Sequence, residues 1–473
     1  MLATPLPPFF VMRHAGRPFA QARPMTPPEP SPADSVKPAR GARRRGRWLI
    51  AALLAVLVTA ALALLSLTPL VPEPATPDTA SAAAARNALQ QITGSDTRRG
   101  ALVQITVTQR ELDGLAGLAS EALAPLRIRA RLQPAALPGR SRSGEMVVDM
   151  SRELGAGLWV NAVALVRPAE DPKAAALPDL AVTIGRVPVP QWLSHWALAR
   201  LWRQAQGDQA RDDQTRGHQT GPVPLEQALR RFTVTPDRAR LVLVNPGRGA
   251  ALAGLAQAGG TTPDPVRLAA AYCAIAGTAG ADLPKLVRLA AAQKPPAGIS
   301  AEDHNRVLLT AIAMRAVPEY REKLAGSARA LVADCGASAD PVTLAGREDL
   351  AKHWALSAAI SATLGSQVAR SMGTWKELAD SSEGGSGFSF VDLAADRSGE
   401  RFAMAAVKPQ LARTVQTRLV AITQDQILPP ELLTRPEGLD QAAFERDYTA
   451  VDSPEYAAAV HAIDRMLGNA GVP

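Results

Sequence analysis

The run WLIAALLAVLVTAALALLSLTPL, Trp48 to Leu70, holds 23 residues without a single charge. As an α-helix it would measure about 35 Å at 1.5 Å per residue, enough to cross a hydrocarbon core of about 30 Å. The basic flank RRRGRW on its N-terminal side predicts a cytoplasmic N-terminus by the positive-inside rule. A secretory signal peptide is the competing reading, with TASAAAA at residues 79–85 as a small-residue cleavage site. The charged flank is long for that role, and the apolar run exceeds the roughly 7–15 residues of a signal peptide core. Residues 48–70 are therefore expected to stay as a single-pass inner-membrane helix, with residues 71–473 in the periplasm.

Charge distribution narrows the partners. The chain carries a formal net charge of +8, which could suggest nucleic acid. Nine of its 52 Lys and Arg, but only two of its 44 Asp and Glu, lie in residues 1–47, which leaves 43 basic and 42 acidic residues for the rest. A near-neutral body lacks the basic footprint of a nucleic-acid binder, so no nucleic-acid partner is expected. Aromatics make up 4% and hydrophobics 47%, mostly Ala, Leu and Val, which favours close helix packing through small side chains. The two cysteines, Cys273 and Cys335, both fall in the exported part. In an oxidising compartment they invite a disulfide, worth about 4 kcal/mol on the chain-entropy model.

The expected fold class is α+β: one transmembrane helix, an antiparallel β-sheet domain with covering helices, then an all-α C-terminal domain. Residues 1–47 read as a disordered basic cytoplasmic tail, and 71–99 as a Pro/Ala linker and a short helix. Residues 100–245 alternate as strands. LRIRARLQ (126–133) is the clearest, with Leu126, Ile128, Ala130 and Leu132 on one face and Arg127, Arg129 and Arg131 on the other. FTVTPDRARLVLV (232–244) predicts a hairpin turned at Pro236-Asp237. A single curved sheet is the simplest arrangement of these strands. QWLSHWALARLWRQA (191–205) predicts an amphipathic helix with Trp192, Trp196, Ala199 and Trp202 on one stripe, and 207–223 an exposed polar loop. A Gly/Ala/Pro linker, 246–264, precedes a helical domain over 265–473.

Standard catalytic signatures are missing. No HExxH, G-x-S-x-G or P-loop sequence occurs, and GGSGFS lacks the Gly-Lys-Ser/Thr ending of a phosphate cradle. An EF-hand begun at Asp380 puts Val391 where the bidentate acid belongs, with Asp392 one residue late. No metal and no cofactor is assigned. What remains is a set of helix faces. Asp349 and His353 are i,i+4; Lys376 and Asp380 are i,i+4, with Glu377 between them; Asp392, Asp396 and Gly399 form a third stripe. If the three helices pack together, clustered carboxylates would raise one another's pKa around His353. A plainer reading gives the same residues structural work. Ser389 caps the helix that bears Asp392, Gly384 closes the preceding helix, Lys376 and Asp380 form a surface ion pair, and His353 is a satisfied core histidine.

The order Asp349-x-x-x-His353 with HWALSAAISATLG, then Lys376-Glu377-x-x-Asp380, then GFSFVDLAADRSG, resembles the YfiM-like predicted periplasmic lipoproteins and is more distantly similar to the VanZ-type membrane proteins. The resemblance spans about residues 347–405. Leu350 stands where those families often carry a lysine, and no lipobox cysteine is present. It implies an envelope location rather than a particular reaction. The function expected is a membrane-anchored envelope module that binds or assembles with an envelope protein, lipid or glycan. The alternative is a hydrolase of envelope glycan or lipid headgroup. There Glu377 would be acid or base, Asp380, Asp392 and Asp396 electrostatic partners or cation ligands, and His353 a proton shuttle, with Lys376, Asp349 and Ser389 as binding residues.

Overall fold

Alternating hydrophobicity between residues 102 and 244 does become strands, but they form two sheets rather than one. The computed structural model describes residues 58–59, 61–93, 101–135, 144–169, 177–206, 224–244 and 260–473. The tail 1–47, most of the apolar run, the loop 207–223 and most of the linker 246–264 lie outside them. The larger sheet runs β3 (Leu126–Pro134), β4 (Gly144–Gly155), β5 (Leu158–Arg167), β6 (Asp179–Ile184) and β7 (Val187–Val189), every neighbouring pair antiparallel. A short β1 (Leu65–Ser66) pairs with the start of β5, beyond the stretch that β6 occupies. The smaller sheet places β9 (Arg238–Val244) between β2 (Leu102–Thr108) and β8 (Leu229–Val234). A register in which Leu102 faces Val244 could not be read from local pattern, because it joins the two ends of the strand region.

β1 also revises the apolar run. Residues 61–64 are helical, but Leu65–Ser66 are strand and 67–70 turn away, so a helix cannot extend to Leu70. Among the described residues no helix is long and apolar enough to cross a membrane.

The expected division of β3 between two faces holds, and β4 continues it. Arg129 lies directly opposite Asp149, and Gln133 opposite Glu145. Both acids are 2% exposed. Asp149 Oδ2 accepts from Arg129 Nη2 at 2.9 Å and Arg131 Nη2 at 2.8 Å, while Glu145 accepts from Gln133 and from Arg167 Nε, both at 2.8 Å.

Two helices tie the sheets to the helical body. α1 (Thr79–Thr93) buries Ala82 and Ala85 in the same core as the C-terminal helices. α2 (Gln109–Ala122) starts at a capping box between Thr108 and Glu111 and lies along β3, where Gln109 binds the Ala130 carbonyl and the Leu132 amide. α3 (Gln191–Gln206) follows β7. In the helical body, α4 (Pro265–Ala276) and α5 (Leu283–Ala291) start at the caps Asp264 and Asp282, each with a proline in the first turn, where its missing N–H costs no bond. α6 (Ala301–Ala316) buries every side chain from Val307 to Ala316 and forms the centre of the body. Cys273 on α4 is bonded to Cys335, with Cα atoms 5.1 Å apart, the pairing expected from sequence.

α7 (Glu348–Leu364), α8 (Ser366–Asp380) and α9 (Phe390–Ala406) carry the charged motifs. α7 and α9 approach closely because one interface position has no side chain. A Cβ on Gly399 would stand 2.2 Å from the Trp354 carbonyl oxygen. Beyond them lie α10 (Ala412–Leu419), α11 (Gln441–Tyr448) and α12 (Pro454–Asn469).

Candidate functional site

Three helices meet at His353. On α7 its ring is 8% exposed, with Nδ1 3.1 Å from Asp396 Oδ2 on α9. Nε2 lies 3.4 Å from Asp392 Oδ2 and 3.9 Å from Glu377 Oε1 on α8. Asp396 is held from its other side by Ser357 Oγ, which donates to Oδ1 at 2.6 Å. Ser357 is one helical turn beyond His353, so α7 supplies two groups that bracket one carboxylate. Gly373 makes the opening on α8: a Cβ there would stand 2.9 Å from Asp396 Oδ2.

Glu377 is fully buried, and both of its oxygens are engaged. Oε1 accepts from Lys376 Nζ at 2.9 Å, and Oε2 from the Ser389 amide at 3.0 Å. Ser389 is the helix cap that its sequence suggested, its hydroxyl accepting from the Asp392 amide at 3.0 Å. The same residue thus fixes the start of α9 and satisfies Glu377. Gly384 has φ +78° in the α8–α9 turn, but α8 ends at Asp380 with Ser381 as its cap, so Gly384 is not the residue that closes the helix. Gly385 is the tighter position, since a Cβ there would fall 2.0 Å from the Asp380 carbonyl oxygen.

Two expected members stand at the rim instead. Asp380 bonds Lys376 Nζ and Arg86 Nη1 of α1, each at 2.8 Å. Asp349, one turn before His353, is taken by Arg347 two residues earlier, with Nη2 to Oδ2 at 2.6 Å. Arg347 also reaches Glu437 at 2.8 Å and stands 3.6 Å from Asp392 Oδ1, which is buried and has no hydrogen-bond partner. Arg86, Arg347, Ser357 and Gly373 were not anticipated. Of these only Ser357 and Arg347 left a local signal, one turn after His353 and just ahead of Asp349.

The acidities follow from this packing. Burial alone would lower the His353 pKa, but the charge and hydrogen bond of Asp396, helped by Asp392 and opposed by Lys376, raise it to about 9. Burial lifts Glu377 to about 7 against the pull of Lys376 and His353, with Asp392 pushing the same way as burial. Burial likewise raises Asp392, against His353 and Lys376. Lys376 is held above the ordinary lysine value, because Glu377 and Asp380 outweigh its own burial. At Asp349 burial would raise the pKa, but Arg347 brings it below the usual carboxylate range.

His353, Glu377 and Asp396 each present one donor atom, and the three lie within 4.8 Å of one another, a spacing that could hold a metal ion. An ion entering there would have to displace the ammonium from Glu377 and the proton that Asp396 holds on His353. The cavity lined by Ser357, Gly373 and Asp396 measures about 20 Å³, room for one water molecule. A second cavity is larger and polar, about 430 Å³, lined by Thr262, Asp264, Arg267, Asp303, Arg306 and Ser327 among others. It lies where α4 and α6 begin.

No family model, curated protein or solved structure matches the chain.

Proposed function

We propose that the protein is a membrane-anchored envelope module whose exported body binds an envelope partner, with a glycan as the ligand its chemistry fits best. The observation that carries this reading is the contrast between the two cavities. The charged cluster is spent on its own members beside room for one water. The 430 Å³ cleft, by contrast, offers carboxylates, guanidinium groups and hydroxyls at a size typical of ligand sites. Asp264 and Asp303 pair with Arg267 and Arg306, so the lining is near neutral and suits a neutral polyhydroxylated ligand. His353, Glu377 and Asp396 then serve as the buried fastening of α7, α8 and α9. The resemblance of residues 347–405 to YfiM-like envelope proteins supports the location.

Anchoring would rest on the apolar segment before β1, whose 17 residues from 48 to 64 span about 25 Å as a helix, close to the shortest workable span. The residues read as a cleavage site form the first half of α1 and include buried Ala82, Ala84 and Ala85, which supports an uncleaved chain. Titration with soluble peptidoglycan fragments tests the binding role. Arg306→Ala, which removes a side chain bonded to Asp303 and the Ala362 carbonyl, should weaken binding at least tenfold. Unchanged affinity in that variant, or no binding by the parent, would reject the cleft.

One observation favours the hydrolase as the second reading: Glu377 holds its proton up to about pH 7 beside His353, the condition of an acid catalyst at neutral pH. Release of reducing sugars or headgroup phosphate from envelope preparations, abolished by Glu377→Gln with unchanged melting temperature, would establish it.

A further inference from the structure

α3 turns its large apolar side chains outward. Trp192 is 71% exposed, Trp196 51% and Leu193 37%, while Ser194 faces in. The stripe expected from spacing is therefore split, with Trp202 half-buried on the inner side. Around the outer face stand Arg200 and Arg203, the guanidinium of Arg200 lying 5.7 Å from the centre of the Trp196 ring. Tryptophan beside arginine on one helical face is the composition of a helix lying in a membrane interface, where an indole takes the headgroup level and a guanidinium meets lipid phosphate.

The chain around α3 carries the same character. Ala63, in the last turn of the apolar run, accepts a bond from the Arg186 amide at 2.7 Å, in the turn between β6 and β7. Gly185 makes that approach possible, with φ +60° and a built Cβ only 2.3 Å from the Ala63 carbonyl oxygen. β7 then leads through Pro190 straight into α3. Leu62, Leu67, Val187 and Leu154, on segments joined by these contacts or by the β1–β5 pairing, are all exposed. The strand β1 and the helix bearing the tryptophans are thus both fastened to the larger sheet, β1 on β5 and α3 after β7.

From this arrangement we infer that α3 docks on the anionic surface of the bilayer in which the apolar run is anchored, its Trp192, Trp196 and Leu193 entering the interface and Arg200 and Arg203 meeting lipid phosphates. The inference rests on the anchor reading above. Docking holds the larger sheet against the membrane and leaves the helical body with its cleft as the part presented to the envelope.

The test uses the full chain reconstituted into phosphatidylethanolamine/phosphatidylglycerol vesicles, with lipids brominated near the headgroup as quenchers of tryptophan emission. The parent should float with the vesicles. Trp192→Phe/Trp196→Phe should remove at least half of the quenched emission, and Trp354→Phe, at a fully buried position, should remove none of it. Arg200→Glu/Arg203→Glu should reduce quenching by a similar fraction in anionic vesicles. A floating chain whose quenching survives the Trp192/Trp196 substitutions overturns the docking and leaves the anchor standing. A chain that does not float overturns both. Concentration-dependent dimers that cover α3 and abolish quenching would assign the face to a second copy of the chain and overturn the inference as well.

Discussion

The sheet and the helical body each bury acids, and they neutralise them in different ways. In the sheet, Asp149 has two arginines to itself, and these side chains remain 37% and 45% exposed. Glu145 has Arg167 and Gln133. In the helices, Glu377, Asp392 and Asp396 share one imidazole and one ammonium, with only a guanidinium already bonded to Asp349 and Glu437, that of Arg347, beside Asp392. The outcome is opposite. Burial would push Glu145 up, yet its hydrogen bonds from Gln133 and Arg167 and the Arg167 charge bring it below the usual range. Glu377 is pushed up to about 7. Glu145, with its own water-reaching arginine, is held ionised, whereas Glu377 and Asp392 are pushed towards their protonated forms.

The contrast breaks most visibly at Asp396. Asp396→Asn should cost about 3–5 kcal/mol in urea unfolding, the range for removing one member of a buried ion pair. A loss below about 1 kcal/mol would mean that His353 is not held by charge, because that is the range of exposed pairs. Asp149→Asn should cost less, about 1–3 kcal/mol, since the arginines it leaves can turn to water. Equal losses at the two positions would erase the distinction.

The third expectation is a pH profile. Glu377 and His353 bind protons more tightly folded than unfolded, so their contribution is whole at low pH and falls as pH rises. The loss runs from 4.5 to about 7 for Glu377 and from 6.5 to about 9 for His353. Glu377→Gln should flatten the melting temperature across the lower window and leave the upper one. Glu145 has the reverse sign, its contribution present above 4.5 and lost on acidification. A Glu377→Gln profile that still falls between pH 4.5 and 7 would assign the loss to Asp392. Smallest of all is Arg131→Ala, expected below about 1 kcal/mol because Arg129 still holds Asp149.

Helical spacing made the Asp392, Asp396, Gly399 stripe legible, and the three residues do line the contact with α7. It also gave Glu377, on the inner side of α8. It gave the Lys376–Asp380 pair too, but not the arginines: Arg347, two residues away, takes Asp349 before a partner one turn along can, and Arg86 reaches Asp380 from a helix far away in sequence. In the sheet, alternation gave the strands and the arginine face of β3. The acids of β4 carried a readable sign, Glu145 and Asp149 at even spacing and Asp149 opposite Arg129, that strand-by-strand reading overlooked. The pairing of β2 with β9 had no local trace. The helix α3 was legible, but its expected stripe is split, with Trp192 and Trp196 exposed and Trp202 half-buried, because periodicity alone cannot say which side of a helix is covered.

α1 carries a consequence for how the chain comes to be made. It is among the first described elements to emerge, yet Arg86 bonds Asp380, 294 positions later. Between the two the chain visits the sheets and returns. α1 finds α2 soon after it is made, but its Arg86 waits for Asp380 until α8 arrives. A chain halted before residue 380 would keep the close approach of α1 to α2 at Gly114 and lack the bond that ties α1 to α8.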